Sequence, residues 1–382
     1  MRRSWLRWFA TACQALAVLV WLLMVLRYQY GAASLQALDE VALDLSFLGG
    51  VTGAAIARAL DRRAAAERRL FLFRLTLLVG ATALAVIAAE YAARLQYRHA
   101  RTSGNARDYI AHGGAWSAGP SNGLGFRDRE VTRKSPERYR IVAIGDSFTW
   151  GQGIEREERF SNLLEGWLGP RYEVFNFGVP GNNMREHLTV LDRALEVSPD
   201  FVLLQLYIND FETRQMLRPH AYPLLPGRLD RDLGQSSLLY VLVRNQWSRV
   251  QEMTGVSESY VHYMERNLRD PNGVNSVEAF GLLKQFFERA RAAGAKVGVV
   301  LFPETDALGA HGKDYPFGYL HDGVRRACRD ENVGCLDLLP LFSTFADPRS
   351  AWVSPLDAHP NAMANRRAAN EILHAFSADW QY

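Results

Sequence analysis

At 382 residues the chain has room for one large or two ordinary domains with an ample core. A formal net charge of +3, with no basic stretch interleaved with aromatics, argues against a nucleic-acid partner. Three cysteines without a CxxC pair or a cysteine–histidine cluster argue against a structural zinc site, and neither metal nor cofactor is expected.

The first hundred residues read as membrane-seeking. Phe9 to Leu26 runs eighteen residues without a charge, behind Arg2, Arg3 and Arg7 and just ahead of Arg27 and Tyr28. That is the pattern of a spanning helix with interfacial anchors. The run is longer than the apolar core of a cleaved signal peptide, and no A-x-A site follows it. Leu70 to Ala89 is a second candidate, with Arg74 near enough to its end to snorkel. Between them, Leu45 to Ala57 is apolar, short and rich in glycine and alanine.

Charge bias orders these segments. Six arginines fall between residues 58 and 74, against one between Arg27 and Glu40. The positive-inside rule therefore holds both Arg2–Arg7 and Arg58–Arg69 in the cytoplasm, which requires two crossings between them. Leu45–Ala57 then spans, Leu70–Ala89 crosses a third time, and everything after residue 94 is delivered outside an inner membrane. A two-helix hairpin with a cytoplasmic domain is the rival topology. Residues 1–94 are thus expected to form a membrane anchor of two to three helices.

Residues 95–137 are polar, with Gly113-Gly114, Gly119-Pro120 and Asn122-Gly123, and read as a linker and lead-in. From 138 to 382 strands and helices alternate. Strands are predicted at Ile141–Ile144, Tyr172–Asn176, Phe201–Ile208, Lys296–Phe302 and Gly334–Leu338. Helices are predicted at Phe160–Leu168, Met184–Val197, Val277–Ala293, Leu320–Asn332 and about Asn361–Phe376. Residues 211–275 interrupt the alternation and read as an insertion near the active-site edge. The expected fold is α/β, a parallel sheet with helices on both faces. Cys328 and Cys335 flank the last helix-to-strand turn, close enough to be bridged, and a disulfide there would imply an oxidising compartment.

Polar residues cluster where these strands end. Gly145-Asp-Ser147 follows the first strand, the loop Asn176-Phe-Gly-Val-Pro-Gly181 the second, and Asn209-Asp210 the third. Asp357-Ala-His359-Pro precedes the final helix. In a doubly wound sheet those ends share one edge, so residues distant in sequence can converge. A serine hydroxyl needs a base to become nucleophilic, and His359 suits; the imidazole needs a carboxylate, and Asp357 is nearest. The backbone N–H groups of Ser147 and Gly181 and the Asn209 amide would serve a tetrahedral oxyanion. His187 and His262 are expected on helix surfaces, Asp146 and Asp210 as braces of turns, Phe148 and Trp150 in the core.

These dispersed blocks resemble those of the SGNH hydrolases, also called the GDSL family, over roughly residues 120–380. The resemblance implies a flavodoxin-like doubly wound sheet and serine-dependent ester hydrolysis or acyl transfer. It implies Ser147 as nucleophile, His359 as base supported by Asp357, and Ser147, Gly181 and Asn209 as the oxyanion hole. Two departures stand out: Tyr207 occupies the position where the family usually has glycine, and the spacing is D-x-H rather than D-x-x-H. Related polysaccharide O-acetylation proteins use the shorter spacing. The α/β-hydrolase elbow G-x-S-x-G is not satisfied, because Thr149 replaces its second glycine. By this analogy the expected substrate is an O-acetylated envelope glycan, within polysaccharide-modification machinery. A lysophospholipid or thioester esterase, and a catalytically inactive glycan-binding scaffold subunit, are the alternatives.

Overall fold

The computed structural model describes residues 65–99, 121–215, 224–225, 227–309, 314–354 and 357–380. The expected spans Phe9–Leu26 and Leu45–Ala57 lie outside these residues. The described residues divide into two compact units: one holds residues 65–99 and those described between 224 and 258, the other the remainder.

In the first unit, helix α1 (Ala65–His99) contains a stretch, Phe73–Leu95, long and apolar enough by length and composition to cross a membrane. Its Leu78, Leu84 and Ile87 side chains are exposed.

The second unit is built round two central strands, predominantly apolar as strands buried on both faces are. Strand β1 (Tyr139–Gly145) is buried throughout and leads into a short helix, α2 (Ser147–Trp150). Helix α3 (Phe160–Leu168), strand β2 (Tyr172–Gly178), helix α4 (Met184–Leu195) and strand β3 (Phe201–Leu206) follow. The third strand stops two residues short of the sequence-based expectation, because Ile208–Phe211 turns into a 3₁₀ helix.

Residues 211–275 contain three helices, α5 (Gly227–Ser236), α6 (Leu238–Met253) and α7 (Tyr260–Leu268). The first two belong to the unit that contains α1, and the third to the sheet unit. Helix α8 (Val274–Ala292), strand β4 (Lys296–Leu301), helix α9 (Gly318–Asp330) and strand β5 (Gly334–Asp337) complete the alternation. After a short helix, α10 (Leu339–Phe342), strands β6 (Trp352–Ser354) and β7 (Asp357–Pro360) pair antiparallel. Helix α11 (Ala362–Phe376) is capped by Asn361, whose side chain accepts from the Ala364 N–H.

The sheet order is β2-β1-β3-β4-β5, all parallel. That is the doubly wound flavodoxin-like order, which puts the switch point between β1 and β3. Helices α4 and α8 pack together over one face, and α3 and α11 over the other. The strands' C-terminal ends therefore line up Gly145, Gly178, Leu206 and Leu301 along one edge, where every polar cluster noted above emerges. At the opposite edge the buried Arg140 is fully engaged: its guanidinium pairs with Glu173 at 2.8 Å and donates to the carbonyls of Val197 and Thr132. A buried arginine left unpaired would cost several kcal/mol, roughly 3–5. Cys328 on α9 and Cys335 on β5 are thiols hydrogen-bonded to each other.

Candidate active site

Gly145, Asp146 and Ser147 carry the chain off β1 into α2. A Cβ on Gly145 would fall 2.2 Å from Thr149 Oγ1 and 2.3 Å from Gln205 Oε1, so only glycine fits. Asp146 caps α2 by accepting from the Phe148 N–H at 2.9 Å. Gln205 Oε1, from β3, accepts from the Asp146 N–H, the Thr149 N–H and the Thr149 hydroxyl. Arg127 closes the other end, donating to the carbonyls of Trp150, Gly151 and Ile154 while its guanidinium lies over the Trp150 ring. These contacts hold Ser147, itself buried, in one position at the sheet edge.

The carboxylate and imidazole arrive on β7. Residues two apart on a strand point to the same face, so the D-x-H spacing suits an extended segment. His359 Nε2 lies 2.8 Å from Ser147 Oγ. His359 Nδ1 is hydrogen-bonded to Asp357 Oδ1, which also accepts the His359 N–H at 3.1 Å. Gln152 donates to the other carboxylate oxygen at 3.3 Å. Burial alone would raise the Asp357 pKa, but the hydrogen bond and charge of His359, with help from Gln152, hold it below the usual carboxylate value. Burial likewise pulls His359 down, yet the Asp357 hydrogen bond and the charges of Asp357, Asp146 and Glu304 carry it above the ordinary histidine value. An imidazole so placed can take a hydroxyl proton at one nitrogen while the carboxylate fixes its other N–H.

Gly181 adopts φ +77°, a left-handed conformation that favours glycine. Among the described residues neither the Ser147 N–H nor the Gly181 N–H donates to a protein acceptor. Asn209 sits in the 3₁₀ turn after β3, and its Nδ2 donates to Asp146 Oδ2 at 3.0 Å. That bond fixes which end of the amide carries hydrogens and leaves its second N–H available. Ser147, Gly181, Asn209, Asp357 and His359 all line one cavity of about 370 Å³, along with Tyr207, Tyr260, Glu304 and Asp306.

Several of these neighbours carry no sequence signature. Gln152 and Glu304 are unremarkable in sequence. Asp146 was expected to brace a turn; it does, and it also tethers Asn209. The expectation for His187 is corrected. It is fully buried, because its Nε2 lies 2.6 Å from Asp210 Oδ1 beneath the turn that presents Asn209. Burial lifts the Asp210 pKa to about 6 against the opposing pull of His187. Asp210 in turn accepts from the Tyr207 N–H, bracing its turn as expected. His262 is exposed, as read from sequence. Phe148 is buried and also walls the cavity, its ring 4.3 Å from that of Tyr207 and 5.2 Å from that of His359. The Tyr207 hydroxyl is hydrogen-bonded to Glu304, so the residue standing in place of glycine is pinned at its hydroxyl and at its backbone N–H. Among the described residues no group of three or more His, Cys, Asp and Glu is placed to hold a metal ion.

A serine, an imidazole and a carboxylate in hydrogen-bonded sequence at the C-terminal edge of a flavodoxin-like sheet define the class of serine ester hydrolases built on that fold. Residues 143–367, more than half of the chain, match the GDSL-like Lipase/Acylhydrolase family. The chain belongs to that family and is a GDSL-type serine ester hydrolase. Solved structures resemble it at low identity. TesA is 15% identical with a TM-score of 0.40, covering 63% of this chain and 98% of its own. A lipolytic protein of the G-D-S-L family from Veillonella parvula is 12% identical, with a TM-score of 0.40 and coverage of 63% and 98%. The acetyl xylan esterase AlAXEase is 17% identical, with a TM-score of 0.39 and coverage of 62% and 98%. No curated protein matches the chain.

Proposed function

We propose that the protein is a membrane-anchored serine esterase or O-acyltransferase that acts on acyl esters, chiefly acetyl esters, of an envelope glycan. The observation that carries the chemistry is the 2.8 Å approach of Ser147 Oγ to His359 Nε2 with Asp357 behind it. Ser147 Oγ attacks the ester carbonyl as its proton passes to His359 Nε2. The oxyanion is received by the Ser147 and Gly181 N–H groups and the free Asn209 amide hydrogen. Collapse expels the alcohol, which takes the proton from His359, and leaves acyl-Ser147. Water, or a sugar hydroxyl, then gives its proton to His359 and attacks the acyl carbon, releasing Ser147. Hydrolase and transferase differ only in this last nucleophile.

The carboxyls of Glu304 and Asp306 give a cavity otherwise walled largely by Phe148, Pro180, Tyr207, Tyr260 and Val261 two acceptors for substrate hydroxyls. The preference for a glycan rests on family analogy and on the membrane topology. The arginine bias around the apolar segments supports three crossings by residues 1–94, leaving residues 138–382 outside the cytoplasmic membrane. A serine-directed fluorophosphonate should label the purified chain, and Ser147→Ala should abolish labelling. Labelling that persists in Ser147→Ala would refute the nucleophile assignment. With an acetyl donor and a panel of envelope glycans, a transferase yields acetylated glycan, whereas free acetate whatever the acceptor marks a hydrolase.

A further inference from the structure

The helix α6 is amphipathic with its faces inverted for a water-facing helix. Val243, Trp247 and Val250, spaced one helical turn apart, are 46%, 39% and 48% exposed, and Met253 beside them is 87% exposed. Gln246 lies within that face, and the exposed Arg249 and Thr254 flank it. Gln251, one turn beyond Trp247 at the edge of that face, is buried at 3% exposure, and further round Arg244 reaches Asp230 on α5 at 3.5 Å. A soluble helix turns its apolar stripe inward. Here something apolar must cover it from outside.

The place where α6 begins says what that is. Glu90 lies near the end of the apolar stretch of α1, where an isolated carboxylate would be costly. It is not isolated. Arg94 pairs with it from the next turn at 2.6 Å, and its Oε2 accepts from the Ser237 hydroxyl and the Leu239 N–H, both at 2.8 Å. Ser237 is the N-cap of α6, its own Oγ accepting from the Tyr240 N–H. The carboxylate thus ties the first turn of α6 to the last turns of α1, within one compact unit. A helix fastened at that depth, carrying an exposed apolar face of its own beside a helix whose Leu84 and Ile87 are exposed, is placed to meet lipid.

We propose that α6 is an interfacial helix, lying against the bilayer beside α1 with Val243, Trp247, Val250 and Met253 among the acyl chains. The proposal rests on α1 spanning the membrane. Its test is therefore made at both helices. Nitroxide side chains are placed at Val250→Cys and, separately, at Leu84→Cys, in the full chain with its native cysteines replaced by alanine and its esterase activity verified. The protein is reconstituted in phosphatidylcholine–phosphatidylglycerol nanodiscs, and collision with oxygen is compared with collision with a water-soluble nickel chelate. Both labels should favour oxygen.

A Leu84→Cys label in lipid with a Val250→Cys label in water would overturn the interfacial helix and leave the span standing. A Leu84→Cys label in water would overturn both. Spin–spin broadening at Val250→Cys alone would place a second copy of the chain on this face and also defeat the proposal. In the native-cysteine chain, Trp247→Phe should remove a share of the tryptophan quenching caused by brominated lipid; unchanged quenching counts against it. Glu90→Ala should loosen the Val250→Cys label while leaving the rate on a soluble ester unchanged, since only the tether is lost.

Discussion

At the scale of single residues, the Asp357–His359 pair sets opposing demands on activity and stability. His359 must be neutral to accept the serine proton, and its pKa is raised, so the rate should climb with pH through an apparent value above the ordinary histidine value of about 6.5. Asp357→Asn should lower both the maximal rate and that apparent pKa, read from kcat/KM against pH; an unmoved pKa would contradict the pairing. Stability runs the other way. The raised His359 contributes fully below its unfolded value and loses that contribution as pH rises through the folded one. The lowered Asp357 contributes above its unfolded value and loses it as pH falls through the folded one. The pair therefore stabilises most between about 3.9 and 6.5. The thermal-midpoint deficit of Asp357→Asn should be larger at pH 5.5 than at pH 9, the two values being roughly one unit or more on either side of the histidine midpoint. Asn209→Ala should cut kcat by about 10²–10³ with little change in KM. Asp146→Asn should cost less, and its cost should shrink when it is added to Asn209→Ala, because the part of its effect that runs through the proposed Asn209 donor is then already lost.

At the scale of elements, the β1–α2 turn was legible because its apolar run, glycine and polar pair are all local signals. The central strands β1 and β3 were legible for the same reason: a strand buried on both faces is predominantly apolar. What sequence could not display were contacts across the sheet edge. Gln152 reaches Asp357 across some two hundred residues, and Glu304 meets Tyr207 only because β3 and β4 are neighbours. His187 was misread because a polar residue on an amphipathic helix is normally outside; its buried partner, Asp210, comes from another loop. The D-x-H spacing was an oddity in sequence and becomes intelligible on a strand, where alternate residues share a face. The turn itself is testable. Gly145→Ala forces a methyl into Thr149 and Gln205, and should destabilise the detergent-solubilised chain by about 1–3 kcal/mol. An unchanged unfolding midpoint would mean the turn is looser than its contacts indicate.

At the scale of the whole molecule, the chain joins a membrane-compatible helix to a hydrolase sheet through segments that are not contiguous in sequence, since residues 219–258 group with α1 rather than with the strands on either side of them. The paired thiols of Cys328 and Cys335 then acquire a use unrelated to catalysis. Held in contact from α9 to β5, they would record, under the proposed membrane anchoring, which side of the bilayer the sheet unit folded on. Protein on the extracytoplasmic side, matured in an oxidising compartment, should lose one hydrogen from each sulfur to a thiol-oxidising enzyme and resist alkylation until reduced; protein kept in the cytoplasm should alkylate at once. Intact mass after trapping the thiols in living cells would read that record directly, with no reporter fused to the chain.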